Sequence, residues 1–111
     1  MKKKLMIDLD GVLNNYEKYE EQHIPQVREG APEFLEKLRN FNKYELVLFT
    51  SRDKQLSEKW LEDNKINQYF EEITNTKKPA SIYIDDRALK FNGDFSKTLE
   101  EIENFAVYWK N

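Results

Sequence analysis

Asp8 and Asp10, separated by one residue and followed by Gly11, end a short apolar run of Leu5, Met6 and Ile7. A run of this kind bounded by turn-formers predicts a buried parallel strand. Strand residues two apart point to the same side, so the two carboxylates converge, and the glycine lets the chain turn sharply without a Cβ penalty. Like charges held this close repel, and a hard divalent cation with oxygen ligands relieves the repulsion. The bland alternative, a polar strand end before a turn, fits an isolated D-x-D-G better than a site does. Two further polar sets tip the balance. Thr50, Ser51 and Arg52 follow the apolar run YELVLF, and Asp85, Asp86 and Arg87 follow the run SIYI.

The elements that must position these residues alternate in type. Asn14 to Arg28 is polar and aperiodic and contains Pro25, which predicts a loop or small hairpin directly after the first acids. Gly30, Ala31 and Pro32 announce a helix with Phe34, Leu35, Leu38 and Phe41 at helical spacing. Tyr44 to Phe49 is rich in β-formers and reads as the second strand. From Asp53, suited to N-capping, a second helix carries Leu56, Trp60 and Leu61 on one face. Ile66, Tyr69, Phe70 and Ile73 suggest a turn and a short third strand. Lys77, Lys78 and Pro79 form a basic corner before a fourth strand, Ser81 to Ile84. The segment Phe95 to Trp109 has Leu99, Ile102, Phe105 and Ala106 at helical spacing, with Ser96 as its expected cap. Strands alternating with helices predict an α/β fold, a three-layer Rossmann-like parallel sheet with helices on both faces. Ligands in such sheets bind beyond the carboxyl ends of the strands, where Asp8, Thr50 and Asp85 would all emerge.

Composition narrows the function classes. A chain of 111 residues makes one domain, 1–111, and with 39% hydrophobic residues it holds enough apolar material for a core, which argues against disorder. The net charge of −3 argues against gripping nucleic acid through a broad basic face, while leaving room for a local phosphate pocket. Absence of cysteine removes disulfides, thiolate metal sites and thiol catalysis. Lys2 to Lys4 are basic, yet the apolar run after them is broken by Asp8, and no segment is long enough to span a bilayer. A soluble cytoplasmic protein without membrane partners is the expectation.

The set D-L-D-G-V at Asp8, Thr50 ending an apolar strand, Lys78 before a proline, and the pair Asp85 and Asp86 resembles the haloacid dehalogenase superfamily, with the four motifs in that family's order from Asp8 to Arg87. The wording T-S-R followed by K-P-A-S-I-Y-I-D-D-R-A is similar to small capless phosphatases of that superfamily, and to polynucleotide phosphatase and deoxyribonucleotidase domains. The resemblance implies an HAD-like hydrolase domain, a Mg2+ cofactor and hydrolysis of phosphate monoesters through an aspartyl-phosphate. Asp8 would be the nucleophile, since a carboxylate can form an acyl-phosphate that divides one hard displacement into two easier ones. Asp10 would protonate the leaving alcohol and then deprotonate the attacking water, and its main-chain carbonyl would help hold the metal. Asp8, Asp10, Asp86 and Asp85 form the expected metal set, with Asp86 ahead of Asp85. Thr50 and the Ser51 N–H would cradle the phosphoryl oxygens, and Lys78, with Lys77 as its rival, would neutralise their charge. Arg52 and Arg87 would hold a second substrate phosphate or form surface salt bridges, two equally weighted readings.

Tyr16 and Tyr19 would stack on a leaving group or pack the loop down. His23 reads as an exposed loop residue, and Trp60 and Trp109 as core or interface residues. The gaps from Asp10 to Thr50 and from Thr50 to Lys78 are too short to house a cap domain. An open site of this kind fits phosphate on larger molecules, so nucleotides, polynucleotide ends, phosphorylated carbohydrate and protein are the candidate substrates. Two other classes compete: a receiver-like phosphorylated switch and a catalytically silent interaction module of the same fold. In a receiver domain the acid pair ends the first strand, whereas here D-x-D-G comes first and Asp85 and Asp86 come last.

Overall fold

The computed structural model describes residues 2–110. Four strands and three helices follow in the order β1 (Lys3–Asp8), α1 (Ala31–Asn40), β2 (Tyr44–Phe49), α2 (Lys54–Asp63), β3 (Phe70–Thr74), β4 (Ile82–Ile84) and α3 (Phe95–Glu103), with no helix between β3 and β4. A 3-10 turn, Asn67–Tyr69, leads into β3. All neighbouring strands run parallel, in the order β3-β2-β1-β4. The parallel α/β architecture expected from the sequence is the one observed.

Residues of alternating parity on β1 and β2 face α1 and α2. Leu5, Ile7, Leu46 and Leu48 form one cluster with Leu35 and Leu38 of α1 and Leu61 of α2. Leu35 is fully buried there, so truncation to alanine would cost about 2–5 kcal/mol. The other face carries Met6 and Val47, which are equally enclosed. On that side the connection between β3 and β4 touches the sheet directly, the Lys78 N–H donating to Met6 Sδ at 3.3 Å.

Local signals explain most element ends. Asp53 caps α2 by accepting from the Leu56 N–H at 3.0 Å, as its side chain predicts. Gly30 opens α1 with φ of 90°, and Pro32 sits in the first turn. Two positions expected to pack, Phe34 and Phe41, are exposed instead. Phe41 lies past the end of α1 and meets Tyr44 edge-on at 6.4 Å between ring centroids.

The last helix departs most from expectation. It ends at Glu103 rather than running to Trp109, and its cap is Asp94, which accepts from the Lys97 N–H at 3.0 Å. Ser96 therefore falls inside the first turn, where its hydroxyl cannot serve as the cap. None of the residues of α3 is buried, and Phe95 and Leu99 are 77% and 65% exposed. The apolar spacing is real, but the three-residue β4 offers that face little sheet to pack on.

Candidate active site

Strand register builds the site. Ile7 pairs with Ile84 across β1 and β4, so one residue further Asp8 and Asp85 leave the sheet side by side. Ile7 also pairs with Leu48 and Asp8 with Phe49, which sets Thr50 one step beyond on the other flank. The chain runs from β1 outward to β3 and then returns to the far side of β1 for β4. The gap between β1 and β4 is therefore the switch point of the sheet, the place where ligands collect in such folds.

Asp8, Asp85 and Asp86 each present a carboxylate oxygen, all within 4.8 Å of one another. Burial of Asp8, its hydrogen bond with Asp86, and the charges of Asp85, Asp86 and Asp10 push its carboxyl from 3.8 up to about 8. Three hard oxygen donors with this much mutual repulsion suit a hard divalent cation, and the residues present fit one. Gly11 lets them approach: its φ is 85°, and a Cβ there would lie 2.1 Å from Asp86 Oδ2.

Asp10 is held apart from that trio. Its Oδ2 accepts from Arg52 Nε at 2.8 Å and its Oδ1 from Asn14 Nδ2 at 2.9 Å. Asn14 is fully buried and also accepts from the Gly11 N–H at 3.1 Å, so one amide ties the turn to the acid. Sequence reading missed Asn14; its one available signal is a carboxamide four residues after Asp10, in a turn where Leu13 N–H donates to the Leu9 carbonyl.

Arg52 departs from both readings of the sequence. It is neither on the surface nor free for a substrate: its side chain is completely enclosed, on Asp10 at one nitrogen and on the Glu20 carbonyl at another, 2.8 Å away. Its Nη2 is buried with no partner among the described residues. The guanidinium also lies over the Tyr19 ring at 4.9 Å. Residues 14–28 form the expected small hairpin, closed by an antiparallel bridge between Asn14 and Val27, and Trp60 holds it to α2 by donating to the Pro25 carbonyl at 3.0 Å. Arg52 thus joins the hairpin to Asp10. His23 is exposed on that hairpin.

Thr50 is buried, and its Oγ1 accepts from the Arg52 N–H at 3.2 Å, closing the loop in which Ser51 is exposed. Lys78 does not reach Asp8; its Nζ pairs with Glu72 at 2.6 Å and holds that carboxyl below its usual range. Lys77 instead lines an open cleft of about 600 Å³ with Asp8, Asp85, Phe49 and Tyr83, its Nζ 4.7 Å from the centre of the Tyr83 ring. Arg87 is exposed, its N–H on Asp85 Oδ1 at 2.7 Å and its guanidinium over Trp109. Trp109 itself sits at the site, where the sequence pointed to core or interface.

No helix among the described residues is long and apolar enough to cross a membrane. A solved structure, that of a conserved protein coded by a locus from Bacteroides thetaiotaomicron, matches with a TM-score of 0.59 at 21% identity, covering 94% of this chain and 92% of that one. That likeness shows the fold. No curated protein matches the chain. The family model of the haloacid dehalogenase-like hydrolases matches residues 1–89, which include β1 to β4 and every acid of the site. With that match and the acids gathered at the switch point, this chain belongs to the haloacid dehalogenase-like hydrolase family.

Proposed function

We propose that the protein is a magnesium-dependent phosphatase acting on phosphate monoesters through an aspartyl-phosphate on Asp8. The observation that carries this reading is the Asp8, Asp85 and Asp86 cluster, whose oxygens lie within 4.8 Å of one another, with the Asp8 carboxyl raised to about 8 by its burial, its hydrogen bond with Asp86 and the charges of the neighbouring acids. Magnesium on Asp8, Asp86 and Asp85, with the Asp10 carbonyl, would keep Asp8 ionised and offset the charge of the phosphoryl oxygens.

Asp8 attacks phosphorus in line, and the bond to the leaving oxygen breaks as the bond to Asp8 forms. Asp10 gives that leaving oxygen its proton, then takes one from the water that hydrolyses the acyl-phosphate. Arg52 and Asn14 fix the rotation of the Asp10 carboxyl, so the acid needs little reorganisation between the two steps. The Thr50 hydroxyl and the Ser51 N–H receive the equatorial oxygens. Lys77, on the wall of the cleft that holds Asp8, supplies the positive charge in place of Lys78. Arg87 flanks the mouth, and nucleotides, polynucleotide ends and phosphorylated carbohydrate are the substrates to compare.

The test is turnover of a generic aryl phosphate by metal-stripped protein with and without added magnesium. Activity restored by magnesium and abolished in folded Asp8→Asn and Asp10→Asn variants is the expected result. Folded protein that binds magnesium yet turns over no member of a phosphomonoester panel refutes the assignment and favours the silent interaction module.

A further inference from the structure

The C-terminal residues return to the mouth of the same site, ninety-seven positions along the chain from the turn that they meet. Val107 is buried, and the Tyr108 hydroxyl donates to the Gly11 carbonyl while accepting from Arg28 Nη1 at 2.7 Å. The Arg28 guanidinium also covers the Tyr108 ring at 4.8 Å. These contacts fix the next residue. The Trp109 indole N–H donates to Asp86 Oδ2, its ring meets Tyr16 edge-on at 5.1 Å, and the Arg87 guanidinium lies 5.3 Å from its centre. A Cβ on Gly11 would come within 2.9 Å of the indole nitrogen. The Asp86 carboxylate is thus clasped between the first turn and the last aromatic residue.

We propose that Trp109 is a positioning residue of the metal site: its indole N–H sets the rotation of the Asp86 carboxylate, so that docking of the C-terminal strap and binding of the cation reinforce one another. The inference rests on the reading of Asp86 as a metal ligand. One carboxylate oxygen is taken by the indole, which leaves the second for the cation and stops the group from turning away. Partners of this kind, one shell out from a metal, change its affinity by roughly 10–100-fold when removed. Coupling between two binding events is reciprocal, so whatever the strap adds to metal affinity the metal adds to strap docking.

Calorimetric titration with magnesium tests this directly, without reference to turnover. Trp109→Phe keeps an aromatic ring for Tyr16 and Arg87 but removes the donor, and it is expected to weaken magnesium binding roughly 10–100-fold. In an Asp86→Asn background the same substitution is expected to change affinity by less than about twofold, because no carboxylate remains to position. Trp60→Phe leaves Trp109 as the lone tryptophan, and its fluorescence should shift on adding magnesium. Unchanged affinity in folded Trp109→Phe overturns the proposal, as does a silent fluorescence titration should that variant fail to fold. Weakened binding in a protein that hydrolyses no phosphomonoester supports the role of Trp109 while refuting the phosphatase reading alone.

Discussion

The raised carboxyl of Asp8 makes a prediction about stability that needs no substrate. Below about pH 4 Asp8 is protonated whether the chain is folded or not, and it contributes nothing. Between 3.8 and about 8 the unfolded chain has lost that proton while the folded protein still holds it. The folded state then binds more protons than the unfolded one, so stability falls as pH rises through this window and levels off above it. At about 1.4 kcal/mol per pH unit the full effect would approach 6 kcal/mol. Asp8 is only half-buried at an open strand end, and solvent screening there reduces the effect to on the order of 2–3 kcal/mol.

Asp8→Asn removes the titration and keeps a side chain that can hydrogen-bond Asp86. In chelator at pH 8 the variant should therefore be more stable than the parent by about 2–3 kcal/mol, or about 10 °C or more in melting temperature for a chain of this size. At pH 5 the gain should shrink to about a third of that. Saturating magnesium should narrow or invert the order, because only the parent retains the full ligand set and gains binding free energy on folding. Thermal melts followed by circular dichroism at pH 5, 6.5 and 8 measure all three. A variant equal to or less stable than the metal-free parent at pH 8, or a difference that does not grow with pH, would refute the burial of Asp8 among crowded acids on which the site is built.

Two further predictions concern residues that the structure reassigns. Lys77→Ala should lower kcat/KM on an aryl phosphate by on the order of 10²–10³, whereas Lys78→Ala should cost less than about tenfold, since its charge is spent on Glu72; the reverse ranking in a steady-state assay would restore Lys78 to the cleft. Arg52→Ala strips the buried partner from Asp10 and should cost about 3–5 kcal/mol by denaturant unfolding. Arg52→Lys keeps the charge without the fork and should recover part of that stability while turnover stays low, a split that an exposed salt bridge would not produce.

What could be read from the sequence follows from how local each cause is. The β2 span, Tyr44–Phe49, was legible in full because β-formers fill it and polar residues close it. The Asp53 cap was legible because donor and acceptor lie three residues apart. Arg52 was not, because its partner is forty-two positions earlier and its burial depends on a hairpin folding over it. Nor was the choice between Lys77 and Lys78, which turns on the pairing of Lys78 with Glu72 on β3. The end of α3 was missed for a related reason: periodicity continues through Phe105 and Ala106, but the backbone leaves the helix after Glu103 and delivers Tyr108 and Trp109 to a distant turn.

The acids themselves illustrate the limit most sharply. Each of the three polar strand ends was visible as an apolar run stopping on polar residues, and the fold class implied that they share one edge. Sharing an edge does not make carboxylates neighbours; an order with β4 beyond β3 would have separated Asp8 from Asp85 by two strand widths, about 10 Å more. Their contact is decided by β4 returning to the open side of β1, and by a register that matches Ile7 with Ile84. A crossover that carries the chain from β3 back to the open side of β1 therefore does two things at once. It opens the crevice and fills it with negative charge, which a bound cation would offset.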